Sequence, residues 1–117
     1  MRKGILVYIS GAISPKNGNM VEENIAVGLR TFIELTKVGI PSFSPQLLAA
    51  FPSTTLIPYH IWMAYDFTII DRSTHMLMLP NWEKSPGAVE EKAYAESLGM
   101  PVLCGLHELL ELLDVRE

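Results

Sequence analysis

Short apolar runs alternate with segments of helical periodicity along this chain, and that alternation limits its folds to very few. Gly4-Ile5-Leu6-Val7-Tyr8-Ile9 reads as a buried strand. A loop runs from Ser10 to about Gly18. Asn19 then caps a helix, with Glu22 three residues on as its capping-box partner. Val21, Ile25, Leu29, Phe32 and Ile33 recur at helical spacing and are expected to form its core face. Gly39 ends that unit, and Ile40-Pro41-Ser42-Phe43-Ser44 reads as a second strand despite its proline. Pro45 to Ile57 reads as a long loop, of the kind that makes a lid or wall. Pro58 opens a helix reaching roughly Asp71, and His75-Met76-Leu77-Met78-Leu79 is a third strand. A helix beginning at Ser85 stops at Gly99. Pro101-Val102-Leu103-Cys104 is a fourth strand, and Leu106 to Leu113 a last amphipathic helix. This order predicts an α/β fold: a Rossmann-like, flavodoxin-like three-layer sandwich around a small parallel sheet of four or five strands.

At 117 residues the chain is expected to be one domain, 1–117, and its 49% hydrophobic content argues against disorder. A net charge of −4 leaves no broad positive surface for nucleic acid or an anionic membrane. Any anion must therefore be held by local donors. The single cysteine, Cys104, excludes an internal disulfide and reads as a buried, inert thiol. With no basic-plus-apolar leader and no long apolar stretch, the protein is expected to be soluble and cytoplasmic.

Parallel sheets bind ligands at the carboxyl ends of their strands. Three loops there carry Tyr8 to Ser14, Ser42 to Gln46 and Pro80 to Gly87. Two carboxylates sit where apolar residues are expected. With about 100° of turn per residue, Glu91 falls between Ala95 and Leu98, with Ala88 nearby, while Glu90 faces water. Asp66 has Trp62, Met63, Ile69 and Ile70 three and four residues away. A carboxylate on a buried arc is costly unless it is paired or used. Ser85 is a good N-cap, Pro86 a good first helical residue, and Gly87 leaves the first-turn N–H groups open to an anion. Tyr8 is an ordinary strand residue, but a phenol bonded to Glu91 would orient it. Trp82 either walls a pocket or packs over the sheet edge. His60, His75 and His107 lack ligand spacing, and no P-loop, dinucleotide fingerprint or nucleophile elbow occurs.

Tyr8-Ile9-Ser10-Gly11-Ala12-Ile13, Asp66, Ser85-Pro86-Gly87-Ala88 with Glu91, Ala95 and Gly99-Met100-Pro101-Val102 resemble the nucleoside 2-deoxyribosyltransferase family. The resemblance covers nearly the whole chain. It points to the 2′-deoxynucleoside 5′-phosphate N-hydrolases and small bacterial or phage relatives. Leu79-Pro80-Asn81-Trp82 looks like the latter group's leucine-proline-glycine-tryptophan signature. The resemblance implies Glu91 as nucleophile, Asp66 as the active-site aspartate and Tyr8 as the tyrosine that positions the glutamate. It implies Ser85, Gly11 and Ile13 as holders of a 5′-phosphate, and Ser10, Gly87 and Trp82 join them as substrate-binding candidates. The implied chemistry is cleavage or transfer of the N-glycosidic bond of 2′-deoxynucleosides or their 5′-monophosphates through a covalent deoxyribosyl-enzyme. It needs no metal or organic cofactor, and the family is typically dimeric or larger. Thr74, Asn81 and Ser14 depart from the pattern, standing where relatives carry aspartate, glycine and arginine. The alternatives are a non-catalytic nucleotide-binding protein, acting as a sensor or sequestering protein, and a structural subunit whose Trp62–Ile70 helix is an oligomer interface.

Overall fold

All four residues of the first strand are buried, as expected for a central strand covered on both faces. The computed structural model describes residues 1–13, 21–49 and 56–115. In chain order the elements are β1 (Val7–Ser10), α1 (Val21–Lys37), β2 (Ser42–Phe43), α2 (Pro45–Ala49), α3 (Tyr59–Asp71), β3 (His75–Met78), α4 (Pro86–Ser97), β4 (Val102–Leu103) and α5 (Leu106–Leu112), with a 3-10 turn at Trp82–Lys84. The strands form one parallel sheet in the order β2-β1-β3-β4. Val7 lies opposite both Ser42 and His75, Ile9 opposite Leu77, and Met76 opposite Val102.

Strand side chains alternate between faces, and the two cores follow that alternation. Val7, Ile9, Leu77 and Leu79 pack with Leu35 of α1 and Leu109 of α5. Tyr8, Met76 and Met78 pack with Ile70 of α3 and with Ala88 and Ala95 of α4. The result is the Rossmann-like three-layer sandwich predicted from the alternation of elements, with four strands.

Four details differ from the sequence reading. The buried face of α1 is Asn24, Gly28 and Leu35; Ile25 and Phe32 are half-buried, and Leu29 and Ile33 are exposed. A Cβ at Gly28 would lie 2.6 Å from the Cβ and Cγ of Gln46, so α1 turns its smallest residue inward to meet α2. The Pro45–Ile57 stretch is not all loop, because it contains the five-residue α2. Cys104 is exposed rather than buried, since it follows the two-residue edge strand β4. Leu98 lies off the buried arc of α4, leaving Ala88, Glu91 and Ala95 on it. The Asn19 cap and Ser14 fall outside the described residues. Among the described residues no helix is long and apolar enough to cross a membrane.

Candidate functional site

The site begins with the pleat of β1. Tyr8 and Ser10, two residues apart, point to the same face and toward α4. That helix starts at Ser85, whose side chain accepts from the Ala88 N–H at 3.3 Å, followed by Pro86 as the first helical residue. Its inner arc is Ala88, Glu91 and Ala95. The two small alanines let the helix close on the sheet and bring the long glutamate beneath the strand end. Both Glu91 oxygens then accept a hydroxyl: Tyr8 donates to Oε2 at 2.7 Å, and Ser10 to Oε1 at 2.8 Å. All three side chains are buried.

Asp66 comes from the middle of α3, one turn before Ile70, and is 7% exposed. Its carboxyl is near enough to Glu91 and to the Tyr8 phenol for the three groups to influence one another's titration. Asp66 Oδ1 is buried with no hydrogen-bond partner among the described residues. Such an atom carries a desolvation cost on the order of 1–3 kcal/mol until something donates to it.

Burial dominates the electrostatics. It pushes Asp66 up to about 6, against the hydrogen bonds from Glu91 and Tyr8 that lower it. It pushes Glu91 up to about 8, helped by the charge of Asp66 and opposed by the Tyr8 and Ser10 hydroxyls. The Tyr8 phenol rises well above its ordinary value, through burial and then through both carboxylates, and so stays a proton donor. The two carboxyls therefore titrate as a pair that holds one proton near neutrality.

The β1–α1 loop is held from below. A Cβ at Gly11 would lie 2.7 Å from the Leu79 side chain, so only glycine fits there. Gln46 donates to the Gly11 carbonyl at 3.3 Å and accepts from the Ser44 hydroxyl at 2.6 Å, while Asn24 donates to the Ile13 carbonyl at 3.1 Å. Gln46 and Asn24 are buried and were not singled out from the sequence. Their only signal was a polar residue beside a site loop or on a helix face, which is too common to read. Tyr59 was also missed. A Cβ at Gly87 would lie 3.3 Å from its hydroxyl, which places the first turns of α3 and α4 side by side. Burial, then the charges of Glu90, Glu91 and Asp66, raise the Tyr59 phenol.

Trp82 is half-buried against the α3–α4 core, and the Lys92 ammonium sits 5.2 Å from its ring centroid. That contact takes one face of the indole. Asn81 adopts φ 65°, a left-handed conformation that glycine and asparagine tolerate best. Thr74 lies at the other edge of the sheet. Its side chain accepts from the Leu6 N–H at 3.0 Å and donates to the Leu6 carbonyl at 3.1 Å, tying β3 to β1. Among the described residues no group of three or more His, Cys, Asp and Glu side chains could hold a metal ion.

No curated protein matches the chain. Residues 5–104, a span that includes Tyr8, Ser10, Asp66 and Glu91, match the family described as a domain of unknown function (DUF4406), and the chain belongs to that family.

Proposed function

We propose that the protein cleaves or transfers the N-glycosidic bond of 2′-deoxynucleosides or their 5′-monophosphates, with Glu91 as nucleophile and Asp66 as acid and base. The observation that carries this reading is the buried Glu91–Asp66 pair, with the Tyr8 phenol donating to Glu91 and one Asp66 oxygen unpartnered among the described residues. Two buried carboxyls that share one proton are what a retaining glycosidase uses, at a separation of about 5 Å.

A Glu91 oxygen attacks C1′ and forms an ester bond to the sugar. The C1′–N bond breaks, its electron pair passes to the base nitrogen, and Asp66 delivers the proton that neutralises it. Water then attacks C1′, Asp66 takes a proton from that water, and the Glu91–sugar bond breaks to regenerate the carboxylate. A second base in place of water gives transfer. Burial and the charge of Asp66 favour placing the shared proton on Glu91. The hydroxyls already donated to Glu91, and the lack of a donor at Asp66 Oδ1, favour the reactive arrangement with the proton on Asp66. The Ser85–Gly87 start of α4 would anchor a 5′-phosphate or 5′-hydroxyl and hold the sugar in line. In this reading the protein acts in the cytoplasm as a homodimer or larger assembly.

The test is chromatography after incubation with a panel of deoxynucleosides and their 5′-monophosphates. Free base should appear with the natural chain and vanish with Glu91→Ala. Unchanged release by Glu91→Ala removes Glu91 from the mechanism, and a nucleotide retained intact by the natural chain supports the sensor or sequestering role instead.

A further inference from the structure

Strand β1 is supported unevenly where it ends. On one side β3 pairs with all of Val7 to Ser10, and the Leu79 N–H then donates to the Ser10 carbonyl at 2.8 Å. On the other side β2 pairs only with Val7 and Tyr8. The Gln46 side chain takes the place of the next rung on that side. Its Nε2 donates to the Gly11 carbonyl at 3.3 Å, as a backbone N–H of a longer β2 would. The Gly11 carbonyl can only accept, so the Gln46 nitrogen must face it and the Gln46 oxygen must face Ser44, whose hydroxyl donates to it at 2.6 Å. Close packing holds this rung in place. A Cβ at Gly28 would lie 2.8 Å from Gln46 Oε1, and one at Gly11 would lie 2.7 Å from the Leu79 side chain. The Gly11 peptide is thus clamped between Leu79 and Gln46.

The clamp bears on the carboxylate site through one covalent step. Gly11 follows Ser10, whose hydroxyl donates to Glu91 Oε1 at 2.8 Å. Tyr8, the other donor to Glu91, lies where β1 is paired on both sides and needs no such help. Ser10 is paired on one side only, and glycine, the residue after it, has the widest choice of backbone conformations. Gln46 is 0% exposed, so it can touch no substrate and acts only through its neighbours. We propose that Gln46 is a positioning residue: by supplying the missing rung at Gly11 it fixes the end of β1 and keeps the Ser10 hydroxyl on Glu91. That this ordering serves a reaction rests on the glycosidic reading above; the coupling of Gln46 to Glu91 through Ser10 does not.

The coupling is read without turnover by a pH titration of the Glu91 carboxyl carbon in NMR spectra of the full chain, its signal identified by its loss in Glu91→Gln. Glu91 faces Tyr8, Ser10 and Asp66, with the Tyr59 phenol near enough to feel its charge, and only Ser10 among these is altered in the variants. The Ser10 hydroxyl favours the ionised form, so Ser10→Ala should raise the titration midpoint by about one pH unit. Gln46→Met keeps the length of the side chain and removes the rung; it should raise the midpoint by about half a unit, because it loosens the Ser10 bond without deleting it. In the double variant Gln46→Met should add nothing to Ser10→Ala. An unmoved midpoint in Gln46→Met, or a shift that adds in full to that of Ser10→Ala, overturns the proposal. Circular dichroism establishes folding. Should Gln46→Met fail to fold, Ser44→Ala, which frees the amide from its hydroxyl partner, carries the same test alone and paired with Ser10→Ala, with a smaller rise expected. The predicted coupling in a chain that releases no base from any deoxynucleotide would uphold the role of Gln46 while removing the Glu91 chemistry. Base release without the coupling would do the reverse.

Discussion

Glu91→Gln tests the electrostatics of the buried pair without a substrate. In the fold the Glu91 carboxyl is pushed up to about 8 from an ordinary 4.5, and Asp66 up to about 6 from 3.8. In each case the folded chain holds a proton that the unfolded chain has already released. Stability therefore falls as pH rises: the Glu91 contribution is full below about 4.5 and gone once pH has passed about 8. One extra bound proton changes stability by about 1.4 kcal/mol per pH unit. Between about pH 6 and pH 8, where Glu91 alone holds that proton, the natural chain should lose about 2–3 kcal/mol. For a chain of this length that is a fall in Tm of about 10 °C. Glutamine cannot ionise, so Glu91→Gln should be nearly flat over the same window and keep only the Asp66 slope below it. Urea denaturation of both proteins, in steps from about pH 5 to pH 9, reads this directly. A natural chain with constant stability across the window, or a variant with the same slope, would refute the claim that burial holds a proton on the pair.

Tyr8→Phe removes a hydrogen bond to a carboxylate worth about 1.5–3 kcal/mol, so base release at neutral pH should drop about ten- to a hundredfold. The acidic limb of its pH–rate profile should move to higher pH, because the Tyr8 hydroxyl lowers the Glu91 pKa; a uniform drop with an unmoved limb would count against the orienting role. Gly28→Ala would force a methyl to 2.6 Å from Gln46 and should cost about 1–3 kcal/mol in urea denaturation, and an unchanged midpoint would contradict the close packing of α1 on α2. Ser85→Ala should lose about 1 kcal/mol of stability with its cap. It should also raise KM for 5′-monophosphates more than for nucleosides, and an unchanged ratio would take Ser85 out of the proposed phosphate site.

The sheet was legible because alternation leaves little freedom. Once Val7 and Ile9 face one layer, Tyr8 and Ser10 must face the other, and β3 repeats the pattern with Leu77 and Met76. The face of α1 was not legible. A helical wheel weights large apolar side chains, and Ile25, Leu29 and Ile33 form a tidy stripe. The helix instead turns Gly28 inward, because Gln46 occupies the space a side chain would need. That contact comes from α2, and a helix of five residues is too short to leave a periodic signal. Cys104 failed for a related reason. An apolar run reads as a buried strand, but β4 has two residues at the sheet edge, and the chain emerges directly after them.

Within the site, Glu91 and Asp66 could be found because each breaks an apolar arc, and the Tyr8 bond follows from strand geometry once Glu91 is placed. Asn24 and Gln46 could not, since nothing local distinguishes a buried amide from a solvated one. Two of the departures from the deoxyribosyltransferase pattern have structural roles of their own. Asn81 holds the left-handed backbone that a glycine would hold, so the turn before Ser85 keeps its course. Thr74 clamps Leu6 at the amino edge of the sheet. Residues at β3 positions run from His75 there to Met78 beside Ser10, so Thr74 acts on the pairing of β1 with β3 and not on the carboxyls at the far end. Neither substitution bears on whether the site reacts or only binds. In the proposed reading that choice rests on the pair itself, since a glycosidic reaction needs one acid and one nucleophile within reach of each other.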